Sequence, residues 1–529
     1  MSAGPVLATG AQSRSSLYAI AATGVVALAL VAFFDVQTSF PLLDEYARRW
    51  TIQRLAAGHG MALWGLSPNL VQVAVALPLA LAHLAPEWWR LSGLPFVAMA
   101  GAFSWLCARR LGAGVFWAAI AAAAVALNPM ELNLATGMMS ETAFVGLLML
   151  ACWCGLRVIQ EGRGQALCVM VLFLLTLQRQ QGVGVAVGIA GTLLLVRRAQ
   201  LSIRLVAWCA AVVVAPLLAL QVISLFRSHS PATVGANIPG SSPVLFWVQA
   251  TAALSIMLGL LLLPFAVGLL RRPAAETRST RRLRLVPTGL AVVGLAQAGV
   301  ATFMQGSQIY PGNIFGVWGL GAGTLTGHKA GILPLPIFLA VEALTVATFV
   351  LLLGWRSSLW QPSQLGAGGG MLTAIAITQF AFVLAYGQVF DRYFMAVAAP
   401  LVPILAVAIE RGGDSARARG WALAAVVLGV VFYAAGEQDY VAWQVARDRA
   451  AQLAYAQAPA DQVYAGFEES ALHVWIPWVE HPGQNLPTQV VAHPRLQLVF
   501  APPGDPRPGF SYNSLAPGRI VVTAGNRPD

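Results

Sequence analysis

Charge is what this chain lacks most. Asp, Glu, Lys and Arg together make up 10% of its 529 residues, against 58% hydrophobic ones, and the mean hydropathy is +0.70. A soluble domain of that length needs far more polar covering surface. Soluble globular classes are therefore excluded, and a multi-span membrane protein is expected. Cysteine is scarce too. Its five copies, Cys107, Cys152, Cys154, Cys168 and Cys209, lie in or beside apolar segments. Their placement excludes a disulfide framework and a zinc site with ligands spaced across loops, and they read as small core residues. There is no internal repeat and no coiled-coil heptad. No A-x-A-like cleavage motif follows the first apolar run, which is read as a retained anchor and not as a signal peptide.

Negative charge is scarcer than positive, leaving a net charge of +11. The excess invites a nucleic-acid partner, but its distribution argues for no nucleic acid: the arginines sit in short segments between apolar runs, where they carry topology. The runs read as spans are 17–34, 91–108, 112–127, 142–157, 165–178, 182–196, 203–226, 244–270, 286–304, 331–354, 371–387, 393–409 and 421–435, about thirteen in all. With the amino terminus inside, eighteen arginines fall in the cytoplasmic segments and eight basic residues in the outside loops between spans. The largest cytoplasmic group is Arg271, Arg272, Arg278, Arg281, Arg282 and Arg284. A further apolar stretch, 69–84, would flip every later loop if it spanned. It is short and contains Pro78, so it is expected to lie in the membrane surface or re-enter it. The fold class is then an all-α polytopic membrane protein with a small outside α/β or β C-terminal domain. The transmembrane module covers 1–435, with a long first outside loop at 35–90 that holds an amphipathic in-plane helix near 45–57 and the apolar one at 69–84. Residues 436–529 are polar and proline-rich, with β-prone runs TQVVAH, RLQLVF and RIVVTAG.

Chemistry-bearing residues gather on the outside. Asp44 and Glu45 stand in that first loop, and adjacent carboxylates at a membrane surface are costly unless solvated, paired or used. Asp35 reads as an interfacial cap. Glu141 opens the fourth span, where an acid at a helix amino terminus serves either as a cap or as a second carboxylate over the site. Arg179, Lys329 and Arg392 fall at or near membrane depth on the same side. Each has an ordinary reading as a snorkelling or ion-paired cation, and each is a functional candidate. Three cations and an acid pair together suit a phosphate-bearing lipid and a base.

The ordered set resembles the GT-C membrane glycosyltransferases, in particular the family-39-like group of protein O-mannosyltransferases and lipid A aminoarabinose transferases. It consists of Asp44-Glu45-Tyr46-Ala47, then Ala56-Ala57-Gly58-His59-Gly60, then Ser140-Glu141, Arg179 to Gly182, and Arg392-Tyr393 ahead of Pro400 and Pro403. The resemblance covers most of 17–435. Where that group has His-Pro-Pro or Lys-Pro-Pro, this chain has Ser67-Pro68-Asn69, so a donor-phosphate ligand is missing there or replaced by His59 or Lys329.

The resemblance implies a polyprenyl-phosphate-linked sugar as donor and a lipid, glycan or protein hydroxyl as acceptor, joined by one inverting displacement. It implies Asp44 as general base, Glu45 orienting the acceptor, and Arg392, Arg179 and Lys329 on the leaving phosphate, with Glu141, Tyr393 and His59 beside the substrate. It leaves room for a divalent metal between Asp44 and Glu141, although no compact oxygen-ligand cluster asks for one. It places the chain in the bacterial inner membrane with its site on the extracytoplasmic face. The competing readings are a transporter or lipid flippase, disfavoured by the missing inverted repeat, and a lipid-linked glycan ligase or polymerase.

Overall fold

The computed structural model describes residues 45–61, 69–196, 202–226, 257–269, 329–354, 362–385, 390–412, 414–466 and 494–525, together with residues 24, 25, 29, 315, 316, 319–321, 325–327, 468–470 and 473. Asp44, His328, the arginine cluster of 271–284, the run 286–304, most of the run 17–34 and TQVVAH lie outside the described residues.

Helices occupy most of the expected apolar runs that the described residues cover. In chain order they are α1 (Glu45–Ala56), α2 (Leu70–Leu81), α3 (Leu94–Leu111), α4 (Val115–Ala126), α5 (Pro129–Thr136), α6 (Ser140–Glu161), α7 (Gln165–Gln178), α8 (Gly182–Val196) and α9 (Ile203–Phe226). They continue with α10 (Leu335–Gly354), α11 (Pro362–Ala385), α12 (Leu401–Gly412) and α13 (Ala416–Tyr455). A 3-10 segment, Pro86–Gly93, runs directly into α3. Among the described residues five helices are long and apolar enough to cross a membrane. The number rises to seven if two bent pairs, α4 with α5 at 44° and Asp391–Ala398 with α12 at 53°, are single spans. The total of about thirteen stays an expectation. Helix α8 is a short apolar helix with the bounds read from the sequence.

Local chemistry explains where the helices stop. Gly112 ends α3 at φ +101, and its N–H closes onto the carbonyls of Ala108 and Arg109, a left-handed cap that a side chain would strain. Helices α3 and α6 lie so close that a Cβ on Gly146 would sit 2.6 Å from the carbonyl oxygen of Phe96. Small residues at such crossings let backbones approach where lipid offers no hydrophobic drive. All five cysteines are free and buried.

Helix α1 departs from expectation. The sequence predicts an amphipathic helix there, with one polar and one apolar face. Its first two turns are instead buried all round, with Tyr46, Trp50 and Ile52 enclosed alongside Glu45, Arg48 and Arg49. Ion pairs satisfy the charges internally, which removes the need for a wet face. Helix α2 forms within the 69–84 stretch, opening after Asn69 at φ 50.

Helix α13 continues through position 435 to Tyr455. Its 40 residues span about 60 Å, twice the hydrocarbon core of a bilayer. Its first half shows Leu423, Val427, Leu428 and Val431 on the surface, as a lipid-facing helix does. Its second half buries Tyr440, Trp443 and Arg447. Strands β1 (Phe315–Gly316) and β2 (Gly319–Leu320) pair antiparallel. Against the second half of α13 packs a five-stranded sheet of β3 (Thr326–Gly327), β4 (Val463–Tyr464), β5 (Leu496–Ala501), β6 (Gly509–Tyr512) and β7 (Gly518–Ala524). The central β5 pairs antiparallel with β7, and β6 flanks β7. Strands β3 and β4 both run parallel to β5. Trp443 meets Phe500 edge-on at 5.2 Å. The runs RLQLVF and RIVVTAG became β5 and β7. Strand β3 comes from the segment ahead of α10 and carries no strand signal, being two residues long.

Candidate active site

The amino-terminal end of α6 is the meeting point. Asn128 caps α5 by accepting the N–H of Met130 at 3.0 Å, with Pro129 in the first turn. The chain then turns through Met138, held at φ 48 and fully buried with Ile52, Val73 and Trp89. The left-handed residue delivers Ser140 and Glu141 under α1 and α2. Gln178 fixes the end of α7 to the same place. Its side-chain amide donates to the Ser140 carbonyl at 3.2 Å and accepts the N–H of Gln72 at 3.1 Å. Arg179 follows in extended conformation, so its side chain leaves the helix axis and turns toward α6.

Four of the residues singled out in the sequence converge here. Arg179 Nη1 lies 2.5 Å from Glu141 Oε1, and Arg392 Nε lies 3.0 Å from the same oxygen. Ser140 Oγ donates to Glu141 Oε2 and accepts from Arg179, both at 3.0 Å. The ring of Tyr393 stands 5.1 Å from the Arg179 guanidinium and 5.6 Å from that of Arg392. The ring of Phe390 lies 5.0 Å from the Arg392 guanidinium and meets Tyr393 edge-on at 5.4 Å. Arg392 and Tyr393 sit in a 3-10 turn, Asp391–Phe394, where Asp391 Oδ1 accepts the backbone N–H of Arg392 at 2.7 Å. Arg48, from α1, is a third guanidinium within electrostatic reach of Glu141 and touches Met139 Sδ at 3.5 Å. Aromatic faces and a carboxylate hold planar guanidiniums in fixed orientation, the arrangement that binds an oxyanion at two points.

Glu45 occupies a neighbouring group. It is fully buried, and Arg90 Nε donates to both its oxygens at 3.0 and 3.1 Å. Arg49 Nε adds a bond of 2.8 Å one turn along α1. Burial pulls the Arg49 guanidinium below its ordinary pKa, against the opposing charge of Glu45. Arg90 also lies within electrostatic reach of Glu437 on α13. Glu437 accepts from the Asn133 amide at 2.6 Å and the Thr136 hydroxyl at 3.2 Å. Asp44, which precedes Glu45 in the sequence, lies outside the described residues.

Lys329 and His59 go elsewhere. Lys329 Nζ is 2.5 Å from Asp439 Oδ2 on α13, and Ser514 Oγ donates to Asp439 Oδ1 at 2.5 Å. Burial lowers the Lys329 ammonium from its usual pKa, and the Asp439 charge opposes that shift. His59 is exposed just past α1, its N–H bonded to the Arg54 carbonyl at 2.9 Å. Among the described residues no three His, Cys, Asp or Glu side chains gather as a metal site. Sequence reading passed over Arg48, Arg90 and Glu437 as functional residues. The Glu45–Arg49 spacing of four on a helix was the one local signal. Arg90 and Glu437 are distant in sequence from what they touch.

No protein-family model matches the chain, and no curated protein matches it. Solved structures do. The oligosaccharyltransferase AglB of Archaeoglobus fulgidus, in complex with an inhibitory peptide and a dolichol-phosphate, is 12% identical, with a TM-score of 0.45 over 92% of this chain and 61% of that one. ArnT from Cupriavidus metallidurans bound to undecaprenyl phosphate is 14% identical, with a TM-score of 0.38 over 95% and 97%. The arabinosyltransferase EmbB from Mycobacterium smegmatis is 16% identical, with a TM-score of 0.34 over 79% and 40%. The likeness is to GT-C membrane glycosyltransferases. The chain spans about three fifths of the length of the archaeal oligosaccharyltransferase.

Proposed function

We propose that the chain is a membrane glycosyltransferase that moves a sugar from a polyprenyl-phosphate donor to a hydroxyl on the extracytoplasmic side of a bacterial inner membrane. The observation that carries this reading is the convergence of Arg179, Arg392 and Tyr393 on Glu141 at one helix end, with Arg48 in reach. A carboxylate there keeps the guanidiniums oriented, and a phosphate monoester presents the same oxygen geometry to them. The acceptor oxygen attacks the anomeric carbon with inversion as the bond from that carbon to the phosphate oxygen breaks. The phosphate leaves with the bonding electrons, and the guanidiniums stabilise the charge that grows on it. The acceptor's proton passes to Asp44 as general base. Glu45 is held at the start of α1 by Arg49 and Arg90. The domain division near 435, with residues beyond it facing outside, belongs to the same reading.

Membranes containing the chain and a panel of radiolabelled polyprenyl-phosphate monosaccharides test it. Label is expected to leave the lipid phosphate and appear on an acceptor only when the chain is present. Donor that crosses the bilayer with its sugar–phosphate bond intact would identify a flippase instead.

A further inference from the structure

One buried carboxyl beside this site has no use in the mechanism above. Glu131, on α5, is 0% exposed, and neither of its carboxylate oxygens has a hydrogen-bond partner. It lies within electrostatic reach of Glu141, and the Thr142 hydroxyl, at the start of α6, approaches the carboxyl but falls short of full hydrogen-bond geometry. The Thr142 hydroxyl is buried and likewise without a hydrogen-bond partner. Among the described residues no cation approaches Glu131 as Arg179 and Arg392 approach Glu141. A carboxyl enclosed without a partner destabilises the fold that contains it, and an apolar side chain of the same size would be better there. Destabilising groups kept in a structure cluster where a ligand uses them. Two such groups, from adjacent helices, flank the acid on which the guanidiniums converge.

We infer that Glu131 and Thr142 form a polar subsite that takes hydroxyl groups of the transferred sugar, next to the phosphate-binding guanidiniums. The inference rests on the transferase reading and assigns its sugar-recognising residues. Carboxyl and hydroxyl oxygens both accept hydrogen bonds, and the Thr142 hydroxyl also donates, the complement that a pair of sugar hydroxyls requires. Both carboxylate oxygens are closed off from solvent, so the sugar reaches them only when the helix ends around them part. A site built to hydrogen-bond a hydroxyl rejects the analogue that lacks it much more strongly than an apolar pocket discriminates by size.

The test uses the full chain in lipid nanodiscs, the best polyprenyl-phosphate sugar found in the panel, and its singly deoxygenated analogues. For Glu131→Met, kcat/KM is expected to fall about thirtyfold, while the melting temperature holds or rises. Glu131→Gln, which keeps an acceptor and gains a donor, is expected to lose several-fold less. One deoxy analogue should be poor for the parent chain and no worse than the natural donor for Glu131→Met. If Glu131→Met melts lower and transfers normally per folded molecule, the carboxyl is structural and the inference falls while the transferase reading stands. If parent activity needs a divalent ion and Glu131→Gln loses that need, the carboxyl binds metal and the sugar subsite is wrong. A parent chain that transfers no sugar from any donor overturns the transferase reading itself.

Discussion

Glu141 and Asp439 are both enclosed carboxylates facing basic residues named in the sequence, yet their surroundings differ. Glu141 offers one oxygen to two guanidiniums, with a third in reach and aromatic rings on the guanidinium faces. Asp439 gives one oxygen to one ammonium and the other to one hydroxyl. The first arrangement gathers several oriented donors at a point where another oxyanion fits. The second joins α13, the segment that carries β3, and the loop after β6. Burial and charge are common to both, so neither by itself marks a functional site.

The strongest way to sharpen the contrast is to separate the two members of the acid pair. Asp44→Asn is expected to lower transfer about 10²–10⁴-fold with little change in melting, as removal of a general base does. Glu45→Gln is expected to act on stability first, because it removes the buried negative charge that Arg49 and Arg90 share, a loss of about 3–5 kcal/mol for a broken buried pair. Turnover assays and melting curves on both variants read the difference. Normal transfer by Asp44→Asn would move the base elsewhere.

The guanidinium cluster comes next. Arg392→Ala is expected to reduce kcat by about 10²–10³, the scale for losing one oriented donor to a developing oxyanion. Arg392→Lys should lie between it and the parent, since an ammonium is a point charge and not a planar fork. Donor titrations would show weakened use of the lipid phosphate in both. A lower melting temperature with unchanged donor affinity would make the Glu141 group structural, like its counterpart at Asp439.

Lys329 should respond in the opposite sense and with the smallest effect on chemistry. Lys329→Met leaves Asp439 without its ammonium and is expected to destabilise by about 3 kcal/mol while transfer per folded molecule holds. Lys329→Met with Asp439→Leu should recover most of the stability, because the apolar pair needs no solvation. Loss of donor affinity in Lys329→Met would return it to the phosphate site.

Much of the site was legible because its residues break a local rule. Glu141, Arg179 and Arg392 are charges at the edges of apolar runs, and such charges stand out against hydrocarbon. Tyr393 was legible only through the resemblance. Arg90 and Glu437 were not legible as functional residues. Arg90 precedes an ordinary apolar helix, and Glu437 follows the last apolar run in what reads as polar sequence, whereas α13 carries it fully buried to Asn133 and Thr136.

The sequence by itself determined the class of protein and the places of its helices, since hydropathy over a span-length window is a local property of the chain. It also determined which charges need an explanation. Only the tertiary structure decided which of those charges meet. Lys329 and Asp439 are 110 positions apart, and Arg179 and Arg392 reach Glu141 from separate helix ends. Such meetings depend on how helices cross and where a buried turn such as Met138 points the next one, and no periodicity along the chain records that.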